Sequence, residues 1–212
     1  MVAAAPTPRV SFPEKLLRSK VFIWTLLISP GLWPLVPLLR HDPTVGADPL
    51  KYILHHLGFV ACVLLATVLT FTPLRVIFPQ SKLALALNRH RRLVGVSAFV
   101  YAALHLATHL LYAGGFGVLA SDVKKPFLVT GLVAFTILLA LAVTSLNRLV
   151  RALGAKHWKM LHRLAYVAAA LAAYHQAAAR KLFPMQVLWI FVPLALLEIA
   201  RLVKQRVKSK VN

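Results

Sequence analysis

The chain has 212 residues and a mean hydropathy of +0.74, with 59% hydrophobic and 14% charged residues, which excludes an ordinary soluble domain. Apolar runs long enough to cross a bilayer recur along it, so the expected class is a polytopic α-helical membrane protein. The formal charge of +20 is typical of basic residues that flank membrane spans and contact anionic lipid, and it does not indicate a nucleic-acid partner.

The predicted fold is an all-α integral membrane protein, a bundle of six transmembrane helices. A short lead, residues 1–19, precedes the bundle, residues 20–203, and a basic tail, residues 204–212, follows it. The spans and their short connections use almost the whole chain, and no Gly-rich dinucleotide fingerprint is present. The six predicted spans are 20–39, 52–71, 93–112, 127–146, 161–179 and 185–203.

Proline residues mark the first two spans. Pro30, Pro34 and Pro37 lie in the second half of the first span, which predicts a kink or an early unwinding there. The second span is expected to stop at the dipeptide Thr72-Pro73, since proline removes a helical hydrogen bond. The single cysteine, Cys62, allows neither a disulfide framework nor a cysteine-based metal site within one chain.

The distribution of basic residues predicts the orientation. Nineteen Lys and Arg fall on the side that contains both termini, and six fall on the opposite side. Because connections this short follow the positive-inside rule, both termini are expected to be cytoplasmic.

The third and fifth spans each carry two histidines, His105 and His109 in one and His162 and His175 in the other. An imidazole in hydrocarbon is costly and usually faces the bundle interior with a partner. His105 and His175 rise about 18 Å and about 21 Å from the cytoplasmic ends of their spans, so they lie at nearly equal depth. Two imidazoles at matching depth on two helices predict a haem iron with His105 and His175 as its axial ligands.

The sequence leaves the roles of three other histidines open. His162 lies about 20 Å deeper than His175 and about 140° away on a straight helix, so a ligand role competes with an interhelical hydrogen bond. His109 is a candidate for a propionate contact, an alternative ligand or the lining of an outer vestibule. His55 either lies against a cofactor or extends to the membrane surface. His41, His90 and His157 are expected in solvent or lipid headgroups, while His56, next to His55 near the outer surface, has the same two alternatives as His55.

Several stretches resemble the MsrQ family, also called YedZ, the haem-binding membrane subunits of bacterial methionine sulfoxide reductase systems. The stretches are GADPLKYILHHLG, the TPLR that closes the second span, RRLVGVSAFVYAALHLATH and LAVTSLNRLVRALGAKHWKMLHRLAYVAAALAAYHQ. A wider similarity is to the ferric reductase and NADPH oxidase transmembrane domain, which carries two stacked haems.

The resemblance implies a cofactor and its ligands. The family's haem b ligands would fall on His105, His162 and His175. In the wider family His105 and His175 would hold an outer haem and His162 one side of an inner haem. The partner position of the inner haem is Arg91 in this chain, so one haem is expected and a second is left open. FMN binding is also ascribed to the family, although no residue pattern here locates a flavin.

The resemblance also implies a location and partners. Such a subunit lies in the bacterial inner membrane, takes electrons from quinol or a cytoplasmic flavin reductase, and passes them to MsrP, a periplasmic molybdopterin reductase. It is an electron-transfer subunit rather than the catalytic one, and no catalytic residue is predicted. Two alternatives remain at this point: a ferric reductase or oxidase with another outer acceptor, and a non-redox transporter or scaffold.

Overall fold

The computed structural model describes residues 16–117, 124–179 and 183–211. Over these residues the chain is helical and contains no strand, which confirms the predicted all-α fold. Most of the predicted lead lies outside the described residues. The helices are α1 Lys20–Leu32, α2 Leu35–Leu39, α3 Pro43–Gly46, α4 Pro49–Ile77, α5 Lys82–Arg89, α6 Arg91–Ala113, α7 Pro126–Val143, α8 Asn147–Leu161, α9 Leu164–Ala178 and α10 Gln186–Val211.

Four of these helices, α4, α6, α7 and α10, are long and apolar enough to cross a membrane. They coincide with the second, third, fourth and sixth predicted spans. Helices α1 and α9 have 13 and 15 residues and are shorter than a full span requires on its own. The count of six spans therefore stays a prediction.

Polar side chains and glycine define several helix ends. The side chain of Asp48 accepts a hydrogen bond from the Lys51 amide and caps α4, which begins with a proline. Gly114 ends α6 in the left-handed conformation with φ of 88°, which glycine adopts without strain.

The prolines of the first two spans act differently. Helix α1 ends at Leu32 and α2 begins at Leu35, which agrees with the unwinding predicted for this stretch. Helix α4, by contrast, does not stop at Thr72-Pro73 as expected but continues to Ile77. Pro73 is fully buried there, so the packing of α4 at the centre of the bundle outweighs one missing hydrogen bond.

The hydroxyl group of Tyr101 is inserted into the backbone of α1. It accepts a hydrogen bond from the Gly31 amide at 2.9 Å and donates one to the Leu27 carbonyl at 2.7 Å. An uninterrupted α-helix would join these two backbone groups directly. The buried tyrosine thus bonds to both backbone groups and ties α1 to α6.

The centre of the bundle consists of two similar halves. In the first half α4 packs extensively against α6, and in the second half α7 packs against α9. A charge-bearing helix links the two packed helices in each half: α5 in the first and α8 in the second. Where the halves meet, the fully shielded Ala98 and Ala168 belong to the core, and such small residues let helices approach closely.

Helices α5 and α8 lie at the same end of the bundle. Arg92, at the start of α6, donates a hydrogen bond to Asn147, at the start of α8. Lys204 of α10 donates to the Ile77 carbonyl at the end of α4. Because these contacts bring the most basic segments together, we call this end the basic end.

Candidate functional site

A cavity of about 350 Å³ lies between α4, α6, α7 and α9, towards the end opposite the basic end. Its size falls in the range of ligand pockets, and its walls are mostly apolar or aromatic, as such pockets usually are. We call it the histidine cavity because four of the predicted site residues line it together. They are His55, His105, His109 and His175.

The rings of His105 and His175 are paired across this cavity. Their centroids are 6.0 Å apart and their planes meet at 85°. A metal ion about 2 Å from one nitrogen of each ring would hold the two ring centres roughly 6 Å apart. The observed spacing therefore fits a metal held between two axial imidazoles.

Main-chain hydrogen bonds fix the protonation of both rings. Nδ1 of His105 lies 2.8 Å from the Leu54 carbonyl oxygen, and Nδ1 of His175 lies 2.7 Å from that of Phe127. A carbonyl oxygen can only accept, so each Nδ1 carries the proton and donates. Each Nε2 is then left with a free lone pair, the form in which histidine binds a metal, and a backbone partner of this kind is usual for metal-binding histidines.

The neighbour of His175 adds a further sign of a ligand. The Oε1 atom of Gln176 is buried and has no hydrogen-bond partner in the described structure, and Gln176 lines the histidine cavity. Buried polar atoms are normally satisfied, so a polar group of a bound molecule would complete this one. The donor set, the apolar walls and this atom together fit a metal-containing cofactor that is mostly apolar and carries polar groups.

A second cavity, of about 270 Å³, lies near the basic end. It contains His162, which the fold thus separates from the other predicted site residues. We call it the arginine cavity because Arg89, Arg91 and Arg92 line it. Leu65 and Leu138 line both cavities and form part of the wall between them.

His162 is held differently from the paired histidines. Its Nδ1 lies 3.1 Å from the Trp158 carbonyl oxygen of its own chain segment, and its ring stacks on the Trp158 indole at 3.8 Å. Its Nε2 lies 3.4 Å from the hydroxyl of Ser145. The residue stands at the turn between α8 and α9, so the angle of about 140° expected from one straight helix does not describe it.

Sequence reasoning missed four residues that shape these cavities: Gly58, Gly131, Trp158 and Gln176. Two of them are glycines within apolar helices, where glycine is unfavourable and often marks a close approach. That signal was present in the sequence. It did not identify the partners, because each contacting histidine lies on a different helix.

Comparison with known proteins gives a consistent result. The family model described as ferric reductase like transmembrane component matches residues 57–173. Three similar proteins are each named protein-methionine-sulfoxide reductase heme-binding subunit MsrQ. The protein from Herminiimonas arsenicoxydans is 39% identical over 76% of this chain and 71% of its own length. The protein from Ralstonia nicotianae is 34% identical over 79% and 76%. The protein from Brucella anthropi is 34% identical over 99% and 93%.

Proposed function

Because the chain belongs to the MsrQ family, within the wider ferric reductase-like transmembrane family, we propose that it is a haem b-binding electron-transfer subunit of a methionine sulfoxide reductase system. His105 and His175 are the proposed axial ligands. The observation that carries this proposal is the pair of imidazole rings 6.0 Å apart, each of which donates a hydrogen bond from Nδ1 to a main-chain carbonyl.

The haem would supply one-electron cycling between ferric and ferrous iron. His105 and His175 would hold the iron, the Leu54 and Phe127 carbonyls fix the tautomers of these two imidazoles, and the mostly apolar cavity walls would limit the access of water. His109 and His55 line the same cavity and are proposed to contact the edge of the cofactor rather than its iron. A haem held by both imidazoles would supply electron transfer rather than oxygen chemistry, because it would have no open site for oxygen.

The proposed topology has six spans with both termini in the cytoplasm of a bacterium and the bundle in the inner membrane. Helices α1 and α2 together would form the first span. The concentration of Lys and Arg at the basic end supports this orientation through the positive-inside rule. The histidine cavity then lies nearer the periplasm, where the proposed acceptor, MsrP, a molybdopterin enzyme, would receive the electrons.

The arginine cavity is the proposed place of electron entry. Its three arginines favour an anionic donor group or the carrier that presents it, such as a flavin reductase, and quinol in the membrane is the alternative donor. Two bound occupants also fit its chemistry. One is a second haem with His162 on one side; the other is FMN, whose phosphate the arginines would bind.

The test is the spectrum and stoichiometry of the purified protein in detergent. Dithionite reduction is expected to give the sharp bands of six-coordinate haem b, and His105→Ala and His175→Ala are each expected to lose them. An unchanged spectrum in either variant would contradict the pairing. A stable preparation without haem would instead favour a transporter or scaffold.

A ferric reductase is the second candidate, because the matching family model carries that description. Membranes containing this chain but lacking any MsrP-like enzyme would then reduce an external ferric chelate. If reduction of the chelate needs no MsrP, this activity replaces the proposed one.

A further inference from the structure

The two paired histidines are held by the same local arrangement of a main-chain carbonyl and a glycine, which occurs once in each half of the bundle. The Leu54 carbonyl accepts the hydrogen bond from His105, and Gly58 follows Leu54 one helical turn later. The Phe127 carbonyl accepts the hydrogen bond from His175, and Gly131 follows Phe127 one helical turn later. In each half the glycine lies on the first long helix and the histidine on the last.

Both glycines are in contact with the imidazole that the carbonyl binds. A Cβ atom built at Gly58 would lie 2.8 Å from Nδ1 of His105, and one at Gly131 would lie 2.5 Å from Nδ1 of His175. Such approaches are too close for a methyl group, so a side chain at either position would displace the ring. The contacts are with the same nitrogen that makes the hydrogen bond.

The geometry of the α-helix explains why the glycine stands at this spacing. A helical carbonyl already accepts from the amide four residues later, and its second lone pair remains available. The Cβ of that later residue points back towards the N-terminus, over the turn that contains the carbonyl. Glycine at this position leaves the carbonyl open to a side chain from a neighbouring helix.

We propose that Gly58 and Gly131 are positioning residues of the haem site, each admitting one axial histidine to a main-chain carbonyl and thereby setting the plane of its ring. This rests on the proposed haem-binding function. Two separate helices carry the same arrangement, and the two rings it orients are nearly perpendicular, at 85°. Neither glycine binds the iron.

The proposal has a spectroscopic consequence. Perpendicular imidazole planes leave two d orbitals of ferric iron almost equal in energy, which gives a highly anisotropic low-spin electron paramagnetic resonance signal. Parallel planes split those orbitals and give an ordinary rhombic signal. The protein is expected to give the highly anisotropic signal. The same measurement on His162→Ala removes any contribution from a second haem in the arginine cavity.

The variants are Gly58→Ala and Gly131→Ala, with Gly95→Ala as the matched control. Gly95 is also a glycine within a long apolar helix, but a Cβ there would lie 3.9 Å from Val68, an ordinary contact. Because Gly95 lines the arginine cavity, the three variants are compared in the His162→Ala background, which removes a second haem. Each test variant is expected to lower haem affinity about 10-fold or more, as loss of a metal ligand's hydrogen-bond partner does, and to shift the resonance signal. Alanine forms helices better than glycine does, so a loss of haem affinity in these variants cannot come from a lower helix propensity.

The outcomes separate this proposal from the function on which it depends. If the wild-type protein binds no haem, the proposed function fails. If it binds haem with a rhombic signal, or if both test variants match Gly95→Ala in affinity and signal, the glycines are not positioning residues although the function stands. A rhombic electron paramagnetic resonance signal from the wild-type protein contradicts the proposal even where a variant does not accumulate.

Discussion

The histidine cavity and the arginine cavity lie in one bundle and share Leu65 and Leu138, yet their polar side chains differ in kind and in the way they are held. The first holds two imidazoles at 6.0 Å, each supported by a carbonyl from a facing helix. The second holds one imidazole, stacked on Trp158 and bonded within its own segment, beside three arginines. A metal site thus needs more than a histidine at the right depth; it needs a partner histidine and external support for both rings.

The largest effect is expected from removing either paired ligand. His105→Ala or His175→Ala should weaken haem binding by more than about 100-fold, beyond the usual cost of losing only a supporting group. Titration of haem into the apoprotein, followed by absorbance, measures this. The exposed His157→Ala serves as the control, and equal affinities for all three variants would remove the contrast between the cavities.

The next effect tests the arginine cavity directly. His162→Ala is expected to leave the haem signal of His105 and His175 intact, because the two sites share no ligand. The ratio of haem to protein then tests for a second haem: a fall by half assigns His162 to one, and an unchanged ratio leaves the cavity to FMN or to the electron donor. Loss of all haem would show that the cavities are not independent.

A smaller effect is expected at Arg91, which lines the arginine cavity. Arg91→Gln should slow reduction of the haem by a cytoplasmic flavin reductase several-fold, with an effect that shrinks as salt screens the charges. Stopped-flow measurements at two ionic strengths provide the test. Arg151→Gln, an exposed change on α8, is the control, and equal rates for both would indicate that the arginines serve only the lipid surface.

The smallest effect concerns Tyr101, one turn before His105 on α6. Tyr101→Phe leaves the Gly31 amide and the Leu27 carbonyl without their partner and is expected to cost about 1–3 kcal/mol of stability. The haem spectrum should not change, because the support of His105 comes from α4 and not from α1. Thermal unfolding in detergent measures the loss, with the exposed Tyr174→Phe as control; a shifted spectrum would show that α1 helps to orient the ligand.

The sequence was sufficient to predict the helical class and to place His105 and His175 at matching depth, because hydropathy and helical rise determine depth in a membrane without any knowledge of packing. It did not predict that α4 would run through Pro73, since that depends on burial from all sides. Nor did it place His162, because the straight helix assumed for the fifth span is interrupted before Leu164. The roles of Gly58 and Gly131 were out of reach because each depends on a ring from another helix.

The division of the bundle into two halves has a consequence for how the protein is assembled. Contacts within each half are extensive, while those between α6 and α7 and between α4 and α9 are fewer. Each half brings one of the proposed ligands, so binding of the cofactor would link the two halves where their direct contacts are fewest. A cofactor held by ligands from both halves would stabilise the joined bundle over one whose halves have separated, so resistance to unfolding is expected to rise with haem occupancy.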